Sequence, residues 1–139
     1  GPMVEIKMTY AGDLACEVTH GPSGTVMTTD APADNNGQAR SFSPTDLVGV
    51  SLGTCVMTIM GIVCQQRGWE LGTPTARCEK TMVADPHRRI ARLEVEITGL
   101  SSALDARQRE VLEAAGRGCP VEHTIHPDTE VELAFRWDG

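Results

Sequence analysis

The chain has few aromatic residues, few lysines and no excess of positive charge, and each shortage narrows what the protein can be. Aromatic residues make up 4 % of the 139 residues, so aliphatic side chains and methionine must fill the core. Lysine occurs only at Lys7 and Lys80, and the net charge is −7. Because nucleic acids and anionic membranes attract cationic surfaces, this acidic balance argues against either as the main partner.

The five cysteines are an odd number and include no CxxC pair. This pattern favours free thiols in a reducing cytoplasm over the disulfide framework of a small secreted protein. The polar N-terminus leads directly into an alternating segment, which predicts that no signal peptide is present. We interpret Gly1-Pro2, before Met3, as the remnant of an expression tag, and the length predicts a single domain over residues 3–139.

Residues 47–64 are an uncharged run of 18 residues, which reaches the lower limit for a membrane span. The glycines and small polar residues within it favour instead a central helix of a globular protein, buried on all sides. Ser43 is suited to the N-cap position, with Pro44 at the first helical position and Asp46 completing a capping box. We predict that this helix extends to about residue 66.

The remaining pattern predicts an α+β protein. Ser102 is the expected N-cap of a second helix, with Asp105 at the third helical position and Gly116 and Gly118 at its end. Cys119 and Pro120 then begin a short turn. The predicted order is βββ-α-ββ-α-β, with alternating segments at residues 4–10, 14–20, 25–29, 75–84, 90–98 and 129–137.

Two cysteines are the main candidates for chemistry. Cys55 lies inside the apolar helix, where burial makes a thiol unreactive unless a cation or hydrogen-bond donor reaches it. Cys119, at the start of a helical turn before Pro120, would face free backbone N–H groups that favour its thiolate. These positions alone leave open whether the two thiols are catalytic or merely buried.

The segment from Ser43-Pro44-Thr45-Asp46 to Gly53-Thr54-Cys55, together with Cys119-Pro120-Val121, resembles the osmotically inducible protein C and organic hydroperoxide resistance family (OsmC/Ohr). The resemblance covers essentially the whole chain and implies an intertwined homodimer. It also implies that Cys55 attacks a hydroperoxide and that Cys119 resolves the sulfenic acid as a disulfide. A thiol reductant, either a lipoyl group or a small dithiol, would complete the cycle without a further cofactor.

The chain departs from the family pattern at two places. Active peroxidases of the family carry glutamate where Thr45 stands, and their activating arginine lies in the N-terminal hairpin, where this chain has residues 13–15, Asp-Leu-Ala. The first arginine is Arg40, in the loop before the helix, and it either activates Cys55 or is simply solvated. Thr45 and His20 are candidates for substrate binding, although His20 could equally be a plain turn residue.

These observations predict a cytoplasmic, bacterial, thiol-dependent peroxidase that reduces organic hydroperoxides and serves in stress response. One alternative is a non-catalytic dimer that binds a small apolar or thiol-reactive ligand in the cleft between its subunits. A less favoured alternative is zinc binding, because Cys119, His123 and His126 have the right ligand types on one face of a turn. We expect no metal, no nucleic acid and no membrane partner.

Overall fold

The computed structural model describes residues 1–138, which form two compact units that divide after Leu47. A 3₁₀ turn occupies Ala33–Asn35. The strands are β1 (Ile6–Gly12), β2 (Ala15–His20), β3 (Val26–Asp30), β4 (Gly72–Val83), β5 (Arg89–Leu100) and β6 (Glu130–Trp137), and the helices are α1 (Pro44–Arg67), α2 (Ala106–Arg117) and α3 (Pro120–Thr124). The predicted α+β class and element order are confirmed, and α3 is the predicted short turn.

The first unit contains an antiparallel sheet in the order β1-β2-β3. Met8 pairs with Val18, and Val18 pairs with Met27 on the other side, so these apolar side chains share one face. Ile6 and Tyr10 extend this face, which is largely exposed: the exposed fractions are 52 % for Ile6, 68 % for Met8 and 65 % for Tyr10. This face of the sheet is therefore an exposed apolar surface.

The start of α1 confirms the predicted capping box. The backbone N–H of Ser43 donates to Asp46 Oδ2 at 2.9 Å, and the backbone N–H of Asp46 donates to Ser43 Oγ at 3.1 Å. These two bonds satisfy N–H groups that the first helical turn cannot pair internally. The helix ends at Arg67, before Gly68, which adopts a positive φ of 70°.

The expectation that α1 is buried on all sides is wrong for the single chain. Only one stripe is buried, whereas Val50 and Ile62 on other faces are 41 % and 43 % exposed. The helix is long and apolar enough to cross a membrane, and one third of its most apolar stretch is buried. The buried stripe consists of Gly49, Leu52, Gly53, Val56, Met60 and Cys64, which is the spacing of a helix face that packs on a core.

The second unit contains a sheet in the order β4-β5-β6. β4 and β5 form the predicted antiparallel hairpin, while β6 pairs parallel to β5. Alternate β5 side chains, Leu93, Val95 and Ile97, are fully or almost fully buried. A Cβ built on Gly53 of α1 would lie 3.7 Å from Val95 Cγ1, so the glycine stripe of α1 packs on this face of the sheet.

The N-terminus of α2 differs from the prediction. Asp105, and not Ser102, is the N-cap: Asp105 Oδ1 accepts from the backbone N–H of Gln108 at 2.8 Å, and the Gln108 side chain accepts from the Asp105 N–H at 2.9 Å. The capping box therefore lies three residues later than expected, because Gln108 offers Asp105 the reciprocal bond. The end of α2 at Gly118 is as predicted.

Candidate active site

The two candidate cysteines meet in the second unit. Cys55 is half-buried on α1, and Cys119 is fully buried immediately before α3. Their side chains lie close enough to interact, and the interaction with Cys55 raises the pKa of Cys119. Sixty-four positions separate them in sequence, so this contact depends on the packing of α2 and α3 beside α1 rather than on any local motif.

The predicted N-cap position of Cys119 is confirmed. Its Sγ accepts from the backbone N–H of Glu122 at 3.3 Å, and Pro120 occupies the first helical position. Hydrogen bonds from Glu122 and Val121 lower the pKa of Cys119. Burial is nevertheless the largest influence and raises the pKa of Cys119 above its usual 9.0, and the interaction with Cys55 acts in the same direction.

As expected, the N–H groups at the helix start lower the pKa of Cys119, but the net shift is in the opposite direction. Complete burial of the sulfur outweighs the N–H groups of a five-residue helix. Because its pKa is raised, Cys119 is a protonated thiol at neutral pH. Cys55 thus has beside it a thiol that can donate a hydrogen bond, which an apolar helix lacks by itself. Its partial exposure leaves Cys55 the more accessible of the two thiols.

Arg40 lies in the first unit and is held by two carboxylates. Its Nε donates to Asp30 Oδ2 at 2.7 Å and its Nη2 donates to Asp30 Oδ1 at 3.2 Å, while Nη1 lies 3.4 Å from Asp13 Oδ2. Asp30 is buried, and its hydrogen bonds to Arg40 lower its pKa to about 2. Arg40 is thus an ion-paired side chain rather than a merely solvated one, and its catalytic role stays a prediction.

Thr45 and His20 take part in local structure in the first unit. Thr45 Oγ1 lies 3.2 Å from Ser43 Oγ within the capped first turn of α1. His20 is exposed, and its Nδ1 lies 2.6 Å from Ser23 Oγ across the β2–β3 turn. The turn alternative for His20 gains support from this bond, and substrate binding by either residue stays a prediction.

The zinc alternative gains no support from the described residues. Within residues 1–138, no group of three or more His, Cys, Asp or Glu side chains is arranged to hold a metal ion. His126 Nδ1 instead accepts from the backbone N–H of Asp128 at 2.9 Å. The Cys119 sulfur is engaged by Cys55 and Glu122.

One residue beside the thiols went unrecognised in the sequence. A Cβ built on Gly116, near the end of α2, would lie 3.0 Å from Cγ1 of Val56, the residue after Cys55. The sequence pattern assigns Gly116 only to the end of a helix. Contacts between distant segments leave no mark in local sequence, so no signal could have indicated this one.

The fold is α+β, with one thiol on the central helix α1 and a second thiol beside it at the start of α3. Comparison with known proteins identifies the family. A family model for OsmC-like protein matches residues 36–134. The chain therefore belongs to the OsmC-like family, and the resemblance noted in the sequence is confirmed. Among curated proteins, none matches.

Three solved structures illustrate the relationship. A Psychrobacter arcticus protein, provisionally named as an osmotic stress induced and detoxification response protein, is 36 % identical, with 98 % of each chain covered and a TM-score of 0.89. OsmC of Legionella pneumophila, an organic hydroperoxide resistance protein, is 19 % identical over 96 % of each chain, with a TM-score of 0.70. OhrB of Bacillus subtilis is 14 % identical over 96 % of this chain and 98 % of its own, with a TM-score of 0.66. The two more distant structures confirm the fold alone.

Proposed function

We propose that the protein is a thiol-dependent peroxidase that protects against organic hydroperoxides, with Cys55 as the attacking thiol and Cys119 as the resolving thiol. The observation that carries this proposal is the proximity of the two cysteine side chains in the second unit, where Cys55 raises the pKa of Cys119. Family membership and the names of the relatives, organic hydroperoxide resistance and detoxification response, support the same role.

In the first step, the Cys55 thiolate attacks the terminal oxygen of the hydroperoxide. A sulfur–oxygen bond forms, the oxygen–oxygen bond breaks, and two electrons pass from sulfur to the peroxide. The leaving alkoxide takes the proton of Cys119, whose side chain lies beside the reacting sulfur. The products are a sulfenic acid on Cys55 and an alcohol, and Cys119 becomes a thiolate.

In the second step, the Cys119 thiolate attacks the Cys55 sulfur. A sulfur–sulfur bond forms, the sulfur–oxygen bond breaks, and the departing hydroxide takes a proton from the solvent to give water. The N–H groups of Val121 and Glu122 stabilise the Cys119 thiolate while it forms. A dithiol, such as a dihydrolipoyl group, then reduces the disulfide and restores both thiols.

The surroundings of Cys55 favour an organic substrate. Cys55 packs against the apolar core of the second unit, as do the partly buried Ile59, one turn later on α1, and Val121, two residues after Cys119. Apolar surface binds the alkyl or aryl group of an organic hydroperoxide and offers nothing comparable to hydrogen peroxide. The peroxidase should therefore prefer organic hydroperoxides.

Turnover with a dithiol reductant tests the proposal. We expect the wild-type protein to consume cumene hydroperoxide with dihydrolipoamide, and with a higher kcat/KM than for hydrogen peroxide. Cys55→Ser should abolish turnover, whereas Cys78→Ser, which replaces an exposed thiol of β4, should leave it intact. A wild-type protein that does not turn over, but melts at higher temperature with small apolar ligands, would support the ligand-binding alternative and overturn the peroxidase.

We also propose that the protein is a cytoplasmic homodimer. The exposed apolar face of β1–β3 and the exposed Val50 and Ile62 of α1 are surfaces that a second copy would cover. The family resemblance implies the same arrangement. Sedimentation equilibrium should give twice the 14.9 kDa chain mass at micromolar concentration, and a stable monomer would refute the dimer.

A further inference from the structure

The last turn of α2 contacts α1 at a buried glycine. A Cβ on Gly116 would lie 3.0 Å from Val56 Cγ1 and 3.4 Å from both Cγ and Sδ of Met60. Such contacts are tighter than ordinary van der Waals packing, so a side chain fits only if a neighbour moves. Gly118, two residues later, differs: its Cβ would lie 3.6 Å and 3.7 Å from the carbonyl oxygens of Ala114 and Ala115, which is ordinary contact.

Gly116 is linked to both thiols. Its carbonyl oxygen accepts from the backbone N–H of Cys119 at 3.3 Å, so it helps to fix the position of the resolving cysteine. On the other side it packs on Val56, which directly follows Cys55 in α1. The separation of α1 and α2 at this contact therefore influences the separation of the two sulfur atoms.

We propose that Gly116 is a positioning residue that holds the Cys119 thiol within bonding distance of Cys55 by letting α2 approach α1. The inference rests on the thiol pair of the proposed function. A disulfide requires the two Cβ atoms to lie about 3.5–4.5 Å apart. A methyl group at position 116 has to displace Val56 or α2, and either movement carries one of the cysteines with it.

The test compares Gly116→Ala with Gly118→Ala as a matched control. After oxidation by one equivalent of cumene hydroperoxide, rapid quenching and intact mass separate formation of the sulfenic acid from closure of the disulfide. We expect Gly116→Ala to close the disulfide about 10- to 100-fold more slowly, because a shift of about 1 Å in reacting atoms has effects of this order. Formation of the sulfenic acid should slow much less, because water can replace Cys119 as the proton donor to the alkoxide but not as the attacking thiol. Gly118→Ala should close the disulfide like the wild type.

Two further variants separate positioning from general loss of stability. Val56→Ala removes the methyl group that position 116 would strike, so Gly116→Ala/Val56→Ala should recover much of the closure rate that Gly116→Ala loses. Ile97→Val, in the buried face of β5, lowers stability without touching the contact and should not slow closure. If Gly116→Ala does not fold, Val56→Ile tests the same contact from the side of α1.

The equilibrium between the disulfide and glutathione gives a readout that needs no hydroperoxide. We expect the effective concentration of the two thiols to fall in Gly116→Ala and to be unchanged in Gly118→Ala. The positioning role would be overturned if Gly116→Ala closed the disulfide at the wild-type rate and had the wild-type effective concentration. A lowered effective concentration in Gly116→Ala, in a protein whose wild type ignores hydroperoxide, would instead retain the positioning role and remove the peroxidase.

Discussion

Gly53 lies on the buried face of α1, two residues before Cys55, and its replacement by alanine should stabilise the protein. A Cβ at this position would meet Val95 Cγ1 at 3.7 Å and Ala76 Cβ at 3.8 Å, which is ordinary contact. Alanine is favoured over glycine inside a helix by about 1 kcal/mol. Gly53→Ala should therefore raise the free energy of unfolding by about 1 kcal/mol, or the Tm by roughly 3–5 °C for a chain of this size.

Gly49, one turn earlier, should respond differently. A Cβ there would lie 3.0 Å from Cys78 Sγ, so the same helix-propensity gain is opposed by overpacking, which typically costs 1–3 kcal/mol. We expect Gly49→Ala to be neutral or destabilising. When Cys78→Ala removes the opposing sulfur, Gly49→Ala should gain about 1 kcal/mol relative to Cys78→Ala alone.

These differences can be measured by urea unfolding of five proteins: the wild type, Gly53→Ala, Gly49→Ala, Cys78→Ala and the Gly49→Ala/Cys78→Ala double variant. If the Cys55 thiol of Gly53→Ala is labelled at the same rate as that of the wild type, α1 has not moved on the sheet. The packing argument fails if Gly49→Ala stabilises as much as Gly53→Ala, or if its penalty persists in the absence of the Cys78 sulfur.

Two further predictions concern charge and capping. Hydrogen bonds to Arg40 lower the pKa of Asp30 from 3.8 to about 2, so the stability it contributes is present above pH 3.8 and is lost as the pH falls through about 2. Asp30→Asn should abolish this component of acid unfolding, measured as Tm between pH 2 and 5; an unchanged acid profile would count against the ion pair. Asp105→Ala should cost about 1 kcal/mol in urea unfolding, because it removes the N-cap of α2, whereas Ser102→Ala should cost much less; equal costs would contradict the observed capping box.

Features determined by neighbouring residues could be predicted from the sequence. The capping box of Ser43 and Asp46 is complete within four positions, and the alternation of β5 follows from one buried face. The sequence predicts the N-cap of α2 at Ser102 instead of Asp105, because serine and aspartate are both favoured at N-cap positions. Only the bond from the Gln108 side chain, visible in the structure, distinguishes them.

Features determined by distant segments could not be predicted. The parallel pairing of β6 with β5 depends on how α2 and α3 cross between them. The raised pKa of Cys119 depends on complete burial, which outweighs the local N–H groups that the sequence does reveal. The partners of Arg40, Asp13 and Asp30, likewise lie in other segments of the first unit.

The most direct test of the central claim is the intact mass and free-thiol count after one equivalent of an organic hydroperoxide. The account predicts that the wild type rapidly loses two thiols to a Cys55–Cys119 disulfide, and that Cys119→Ser accumulates a sulfenic acid on Cys55. Cys55→Ser should lose no thiol on the same timescale. Thiols that remain unreacted over minutes in the wild type, or a sulfenic acid that forms on Cys119, would contradict it.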